Sequence, residues 1–332
     1  MLAGLSPDLR CTACGTDGSL TLTVAMEDER EVRTGTLTCG SCGFAFGVEE
    51  GIAQLMPDPG GVIAREAAGL ERFADVMRAD GWNRERILRL PDEPNGYWWM
   101  QKHAFQRMVE AVDPAPGSRV LDVGSNTCWA SNLFARRGAS AVALDIALAD
   151  LQGLRTAEYF LDAGCPHFER VLGSMYDLPF AADSFDYVFC CEVLHHNGTD
   201  TLARTFREIH RVLKPGGQML VINEPLRTLR DLQRHHAEEV AEFEGNENIY
   251  FAPTYLRAAR KAGFAIELQD PANLLFFMGD LPPPGDGAGR WDALKMQGLR
   301  RLQRSGLGRR AYRMYRLLVR GEVALSFIGT KR

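Results

Sequence analysis

The sequence predicts an α/β protein whose main domain is a doubly wound, mostly parallel sheet, preceded by a small zinc ribbon. Three observations predict it. From Gly117 onward, short apolar runs alternate with amphipathic stretches at helical spacing, the pattern of strands buried between helices. The first of these runs, Arg119–Gly124, ends in Asp122-Val-Gly124, a turn that lets a ligand approach the backbone closely. Two Cys-x-x-Cys pairs, Cys11 with Cys14 and Cys39 with Cys42, stand ahead of both.

With 332 residues, 45% hydrophobic and 24% charged, the chain has room for a full α/β core plus smaller units, and its composition is globular rather than disordered. The opening MLAGLSPDLR lacks a basic stretch followed by an apolar one. No apolar run is long enough to cross a bilayer, so a cytoplasmic protein is expected. A net charge of −5 argues against a surface that grips nucleic acid as a whole. The charge is uneven: Arg290 to Arg320 hold ten Lys or Arg residues and one acid, Asp292. Without a secretory signal, the eight cysteines are not expected to form a disulfide framework.

Residues 1–60 read as the ribbon. Each Cys-x-x-Cys knuckle presents two thiolates from one tight turn, and two knuckles complete the closed tetrahedral set that a structural Zn²⁺ takes. Cys11, Cys14, Cys39 and Cys42 are therefore the candidate ligands. Gly15 and Gly43, each just after a knuckle, suit a chain that must turn its amides toward the sulfurs. Leu20, Leu22, Val24, Val32 and Leu37 alternate as strand residues do. A redox role would need a thioredoxin-like setting that is missing here. A catalytic metal would need an open position, which four thiolates do not leave. So small a unit has little core of its own, and metal ligation of roughly 10–16 kcal/mol would supply the missing stability.

Residues 61–115 read as connecting or lid helices, Ile63–Ala79 and Trp98–Val112, with Pro91, Pro94 and Gly96 breaking the chain between them. Tyr97-Trp98-Trp99 would either cover the mouth of a pocket or dock these helices on the next domain. Residues 116–332 form the main domain, with insertions at about 226–252 and 272–319. Its strands are Arg119–Gly124, Ser140–Asp145, Asp186–Glu192, Gln218–Glu224 and a last one, Glu322–Gly329. Helices Trp129–Arg137 and Thr201–Leu213 lie between them, the second stopped by Lys214-Pro-Gly-Gly217. In such sheets ligands sit beyond the carboxyl ends of the strands, at the switch point beside the first. Asp145, one strand over from Gly124, is placed to accept hydrogen bonds from a ribose. A nicotinamide dinucleotide domain would use the same arrangement.

The ordered set is more specific than any one part. Leu121-Asp-Val-Gly124, Asp145, Asp177-Leu-Pro-Phe180, Asp183-Ser-Phe-Asp-Tyr187, Glu192-Val-Leu-His-His196 and Leu213-Lys-Pro-Gly-Gly217 together resemble the class I, Rossmann-like S-adenosylmethionine-dependent methyltransferases over most of residues 117–225. The resemblance implies the seven-stranded sheet of that class and S-adenosylmethionine as cofactor. It places Asp145 on the ribose, Gly124 beneath the methionine portion and Ser174-Met175-Tyr176 beside the adenine. Asp122, Ser125, Asn126, Ile146 and Glu192 complete the implied cofactor set. The N-terminal ribbon, with Phe44–Met56 as its closing strand and turn, is similar to those found beside or fused to methyltransferases. The chain departs from the family where Asp-x-Gly-x-Gly-x-Gly becomes Asp122-Val-Gly124-Ser-Asn126-Thr-Cys128, and where Ser174 replaces an acid. Asn tolerates left-handed backbone, so the turn is expected to persist, whereas Cys128 carries a Cβ that narrows the approach of helix to ligand.

Methyl transfer from a sulfonium is an in-line displacement in which positioning alone supplies roughly 7–11 kcal/mol. A hydroxyl acceptor also calls for a base, and His195 and His196, which follow a strand facing the sulfonium, are the catalytic candidates. The alternative is that both serve packing. His235, His236, Glu238, Glu239 and Glu242 fall on a polar helix, Arg227–Phe243, where adjacent histidines point about 100° apart, so a solvated face is expected rather than a metal site. Asn246, Glu247, Asn248 and Tyr250 suit a polyhydroxylated acceptor. The basic stretch reads either as a packed amphipathic helix or as a contact for a phosphate-bearing partner. The leading function is methyl transfer to a small polar metabolite or glycan at oxygen or nitrogen. The alternatives are an RNA base methyltransferase, like certain ribosomal-RNA guanine enzymes with a preceding ribbon, and a non-catalytic scaffold.

Overall fold

The computed structural model describes residues 1–57, 60–198, 200–229, 248–278, 305–315 and 324–332. The chain opens with a four-stranded antiparallel meander, β1 (Leu20–Glu27), β2 (Val32–Cys39), β3 (Ala45–Glu49) and β4 (Ile52–Gln54). Helices α1 (Gly61–Ala79), α2 (Arg84–Leu88) and α3 (Gly96–Val112) follow, the last two capped by side chains. Asn83 accepts from Arg86 N, and Asn95 from Trp98 N, each satisfying an orphan first-turn amide. Then come β5 (Arg119–Val123), α4 (Trp129–Arg136), β6 (Ser140–Asp145), α5 (Ala157–Asp162), β7 (Glu169–Leu172), β8 (Phe185–Cys191), α6 (Thr201–Val212) and β9 (Leu213–Glu224). The rest is α7 (Ala252–Lys261), β10 (Phe264–Gln269), α8 (Ala272–Met278), α9 (Gly306–Tyr315) and β11 (Leu325–Lys331).

Strands β7-β6-β5-β8-β9-β11-β10 lie side by side in that order, parallel from β7 to β9, with β11 inserted antiparallel between β9 and β10. This is the expected doubly wound sheet. One expectation needs correction: seven strands are not the whole of it. β4 pairs in parallel with β7, from Ile52↔Arg170 to Gln54↔Leu172, so the ribbon strands extend the sheet to eleven. The reason is that β7 would otherwise be a buried edge with unpaired amides and carbonyls. Arg170 of β7 seals the joint, since its fully buried guanidinium is paired with Glu31 between β1 and β2 and with Glu158 of α5. Buried charge is tolerated where it is matched in this way.

Successive strand residues point to opposite faces, and the core divides accordingly. Leu121, Val123, Val142, Leu144, Val188 and Val221 pack with α6, α7 and the ribbon. Val120, Ala141, Ala143, Phe189, Leu220 and Ile222 pack with α1 to α5. The sequence reading missed α2, α5, β7, β10 and α8. It also took Lys214-Pro-Gly-Gly217 for a break, whereas β9 runs through it from Leu213, with a register shift opposite Phe185–Tyr187. Among the described residues no helix is long and apolar enough to cross a membrane.

Candidate active site

The glycine turn after β5 is built around one close contact. Gly124 has φ +68°, and a Cβ there would lie 2.3 Å from Val193 Cγ2, so both backbone and space demand glycine. Asn126 (φ 46°) and Cys128 (φ 57°) both adopt left-handed backbone in place of the missing glycines. Asn126 N donates to Asp145 Oδ2 at 2.8 Å, and its Nδ2 donates to Gln152 Oε1 at 2.7 Å. Cys128 is fully buried, with Sγ 3.8 Å from Ser125 Oγ, so its Cβ turns into the protein rather than across the cavity.

Asp122 Oδ2 accepts from Ser131 N (3.0 Å) and Oγ (2.6 Å), tying the first strand to α4. Asp145 Oδ1 accepts from Ala147 N at 2.9 Å. Burial pushes the Asp122 carboxyl up to about 7 and that of Asp145 up to about 6, against the pull of these hydrogen bonds. Glu192, accepting from Tyr97 OH at 2.8 Å, is also raised by burial.

Above the carboxyl ends of β5, β6 and β8 lies a cavity of about 810 Å³. Of the residues expected to hold a cofactor, Asp122, Gly124, Ser125, Asn126, Asp145, Ile146, Met175 and Glu192 line it. Ser174 and Tyr176 are not among its lining residues. Ser174 Oγ accepts from Tyr176 N, and the Tyr176 hydroxyl donates to His196 O, so both brace the loop that presents Met175. His195 and His196 both line the cavity, their rings 4.3 Å apart. His195 Nδ1 lies 2.9 Å from Oε1 of Glu224, a fully buried carboxylate that also accepts from the amides of Val193, Leu194 and His195. His196 Nδ1 stands 2.6 Å from Glu66 Oε1, an ion-pair distance.

α1 and the start of α3 roof the cavity. Tyr97 and Trp98 line it, while Trp99 packs edge-on against Phe276 of α8, so the aromatic cluster both covers and docks. The sequence reading missed Glu66, Asp80, Asn95 and Gln152 as lining residues, and Glu224 as the partner of His195. For Glu66 a signal existed: with Leu70, Phe73 and Met77 it shares one helical stripe, an acid on an otherwise apolar face.

The four ribbon cysteines converge as expected. All their sulfurs lie within 4.8 Å of one another, with Cys11–Cys42 at 3.8 Å and Cys14–Cys39 at 3.7 Å. The edge of a sulfur tetrahedron around zinc, with Zn–S of about 2.3 Å, is about 3.8 Å. Gly15 (φ 75°) and Gly43 (φ 77°) turn the two knuckles. His235, His236, Glu238, Glu239, Glu242, Asn246 and Glu247, and most of the basic stretch 290–320, lie outside the described residues. From that stretch α9 is described. Asn248 N donates to His195 O at 2.7 Å, and the Tyr250 hydroxyl to Asn197 O at 2.7 Å, so both hold the histidine loop.

A parallel sheet with a glycine turn, an acid at the end of the neighbouring strand and a roofed cavity over both is a Rossmann-like arrangement. The chain is similar to known proteins over part of its length. The family described as methyltransferase domain matches residues 121–221. The glycine/sarcosine/dimethylglycine N-methyltransferase of Actinopolyspora halophila is 34% identical over 36% of this chain and 21% of its own length. The demethylmenaquinone methyltransferase of Renibacterium salmoninarum is 36% identical over 36% of this chain and 48% of its own. The chain thus spans less than half the length of these curated relatives. Among solved structures, phosphoethanolamine N-methyltransferase 2 of Haemonchus contortus shares the fold at 16% identity and TM-score 0.52, covering 80% of this chain and 60% of that one. Residues 121–221 thus match a methyltransferase domain, and the sheet shares the fold of that solved methyltransferase.

Proposed function

We propose that the chain transfers the methyl group of S-adenosylmethionine to a hydroxyl or amine of a small polar metabolite or glycan. The observation that carries this reading is His195, whose imidazole lines the cavity while Nδ1 is tied to buried Glu224. That bond holds the proton on Nδ1, orients the ring and leaves Nε2 to take the acceptor's proton. When bound, the cofactor supplies an electrophilic methyl on a cationic sulfonium. Gly124 would admit it close to the backbone, Asp145 would accept from its ribose, and Met175 and Ile146 would form an apolar wall. Tyr97 and Trp98, which roof the cavity, would exclude water.

The size and charge of the cavity support the acceptor class. A volume of about 810 Å³ falls within the roughly 300–1,000 Å³ of small-molecule sites. Among the described residues its lining includes Glu66, Asp80, Asp122, Asp145 and Glu192 but no Lys or Arg. Such a lining favours a sulfonium and a neutral or amine-bearing acceptor over a phosphate-bearing one, which speaks for the metabolite reading over RNA. Cys11, Cys14, Cys39 and Cys42 hold a structural zinc in this proposal, their sulfur spacing matching the tetrahedron. The test is calorimetric titration with S-adenosylhomocysteine, followed by turnover with sugar, amine and RNA panels. No cofactor binding overturns the proposal, and turnover with RNA alone overturns the acceptor class.

A further inference from the structure

We infer that Arg10, beside the metal knuckle, is a positioning residue for the cofactor: it clamps the loop Gly173–Ala181, which supplies Met175 to the cavity wall. The inference rests on the proposed cofactor reading. This loop leaves β7 without regular structure, so its shape is set by what holds it. On its own domain's side, Gly173 N donates to Asp145 O (3.0 Å), Leu178 N to Glu208 Oε2 (3.0 Å), and Arg211 to the carbonyls of Leu178 and Phe180 (2.9 and 2.6 Å).

On the other side the holder is the ribbon. Leu9 and Phe180 form an antiparallel bridge, with Arg10 N donating to Pro179 O (3.0 Å) and Ala181 N to Asp8 O (2.8 Å). Arg10 Nη1 donates to Asp177 Oδ1 at 2.8 Å and lies 3.7 Å from Glu208, and its Nε lies 3.5 Å from Asp17. One guanidinium therefore faces three carboxylates, bonding Asp177 directly, while Glu208 is also paired with Arg211 at 2.7 Å. Arg10 is in turn fixed to the knuckle, since Nε donates to Gly15 O at 3.1 Å and Cys11 N to Thr16 O at 3.0 Å. From the knuckle the contacts run through Arg10 to Asp177, whose N donates to Ser174 O at 3.3 Å across the turn that carries Met175, and Arg10 itself is not among the lining residues. The ribbon thereby shapes a site it does not enter.

Hydrogen exchange and calorimetry on the metal-loaded full chain test this. Arg10→Ala should leave the metal content unchanged, speed exchange across 173–181 and weaken S-adenosylhomocysteine binding about tenfold, with partial rescue by Arg10→Lys. Arg30→Ala removes a different ribbon-to-domain pair, to Asp162 at 3.0 Å, and should change neither loop exchange nor affinity. The inference is overturned if Arg10→Ala leaves affinity intact, whether or not the loop exchanges faster, or if Arg30→Ala weakens binding as much. Should the unaltered chain bind no S-adenosylhomocysteine, the functional reading fails, and unchanged loop exchange in Arg10→Ala would separately overturn the clamp.

Discussion

His195 and Glu224 form a dyad across the carboxyl ends of two adjacent strands, Nδ1 to Oε1 at 2.9 Å, with the carboxylate fully buried and the imidazole at the cavity wall. Glu224 also gathers three backbone amides of the turn that carries the histidine. The same residue thus fixes the turn and the ring, a division that lets a base be placed with little freedom left to lose.

His195→Ala should lower methyl transfer by about 10²–10⁴-fold, the usual contribution of a positioned base, with S-adenosylhomocysteine affinity unchanged. His196→Ala, which breaks the pair with Glu66 of α1, should act less on turnover and more on how tightly the roof helix holds. Steady-state rates and calorimetry on the two variants separate these roles. Equal losses of turnover would remove His195 from the chemistry.

Gly124→Ala should destabilise the fold by roughly 2–5 kcal/mol, combining left-handed strain with overpacking against Val193. Adding Val193→Ala should recover only part of this, because the φ of +68° stays strained whatever stands opposite. Denaturant unfolding of the single and double variants measures both components. Full recovery in the double variant would mean that the clash alone excludes a side chain here.

Most of the sheet was legible because its strands are short apolar runs closed by recognisable ends: Ser140–Asp145 is β6 to the residue. β7 was not, because Glu169-Arg170-Val171-Leu172 carries two charges whose partners, Leu2 N for Glu169 and Glu31 for Arg170, lie far off in sequence, with Glu158 of α5 a nearer second partner of Arg170. The joining of the ribbon to the sheet was hidden for the same reason. Edge pairing is decided by backbone amides, which leave no trace in side-chain pattern. In the site, the residues on strand ends were readable from order and spacing. Glu66 and Gln152 come from outside the motif set, and only the folded chain brings them to the cavity.

Metal analysis of the purified chain should give one zinc, and Cys39→Ser should remove it. Because β4 continues the sheet through β7, loss of zinc should not simply release a free ribbon. It should lower the unfolding midpoint of the whole chain, since the ribbon residues Leu9, Phe46, Val48 and Leu55 share a core with Val171 and Phe180. Thermal unfolding with and without a chelator checks this. An unchanged midpoint in a zinc-free chain would show that the four sulfurs need no metal to hold their place.

Asp122 and Asp145 make contributions of the same sign to the pH dependence of stability. Burial raises Asp122 from 3.8 to about 7, so the folded state binds a proton that the unfolded state has released. Its contribution to stability is therefore present at low pH and is lost as pH rises from about 4 through about 7, by at most about 1.4 kcal/mol for each unit in that window. Asp122→Asn keeps an acceptor for Ser131 and removes the buried charge, so it should flatten this decline. Asp145, raised to about 6 in the same way, contributes a smaller decline of the same sign. In the proposed site cofactor binding should reverse the direction at that residue, because ribose hydroxyls would donate to the ionised carboxylate. S-adenosylhomocysteine affinity should rise with pH through about 6 and level off above it, with proton release on binding seen by calorimetry in buffers of different ionisation enthalpy. Asp145→Asn should bind more weakly and lose the pH dependence together. A variant that keeps the slope would place the titrating group elsewhere in the cavity, at Glu192 or Glu66.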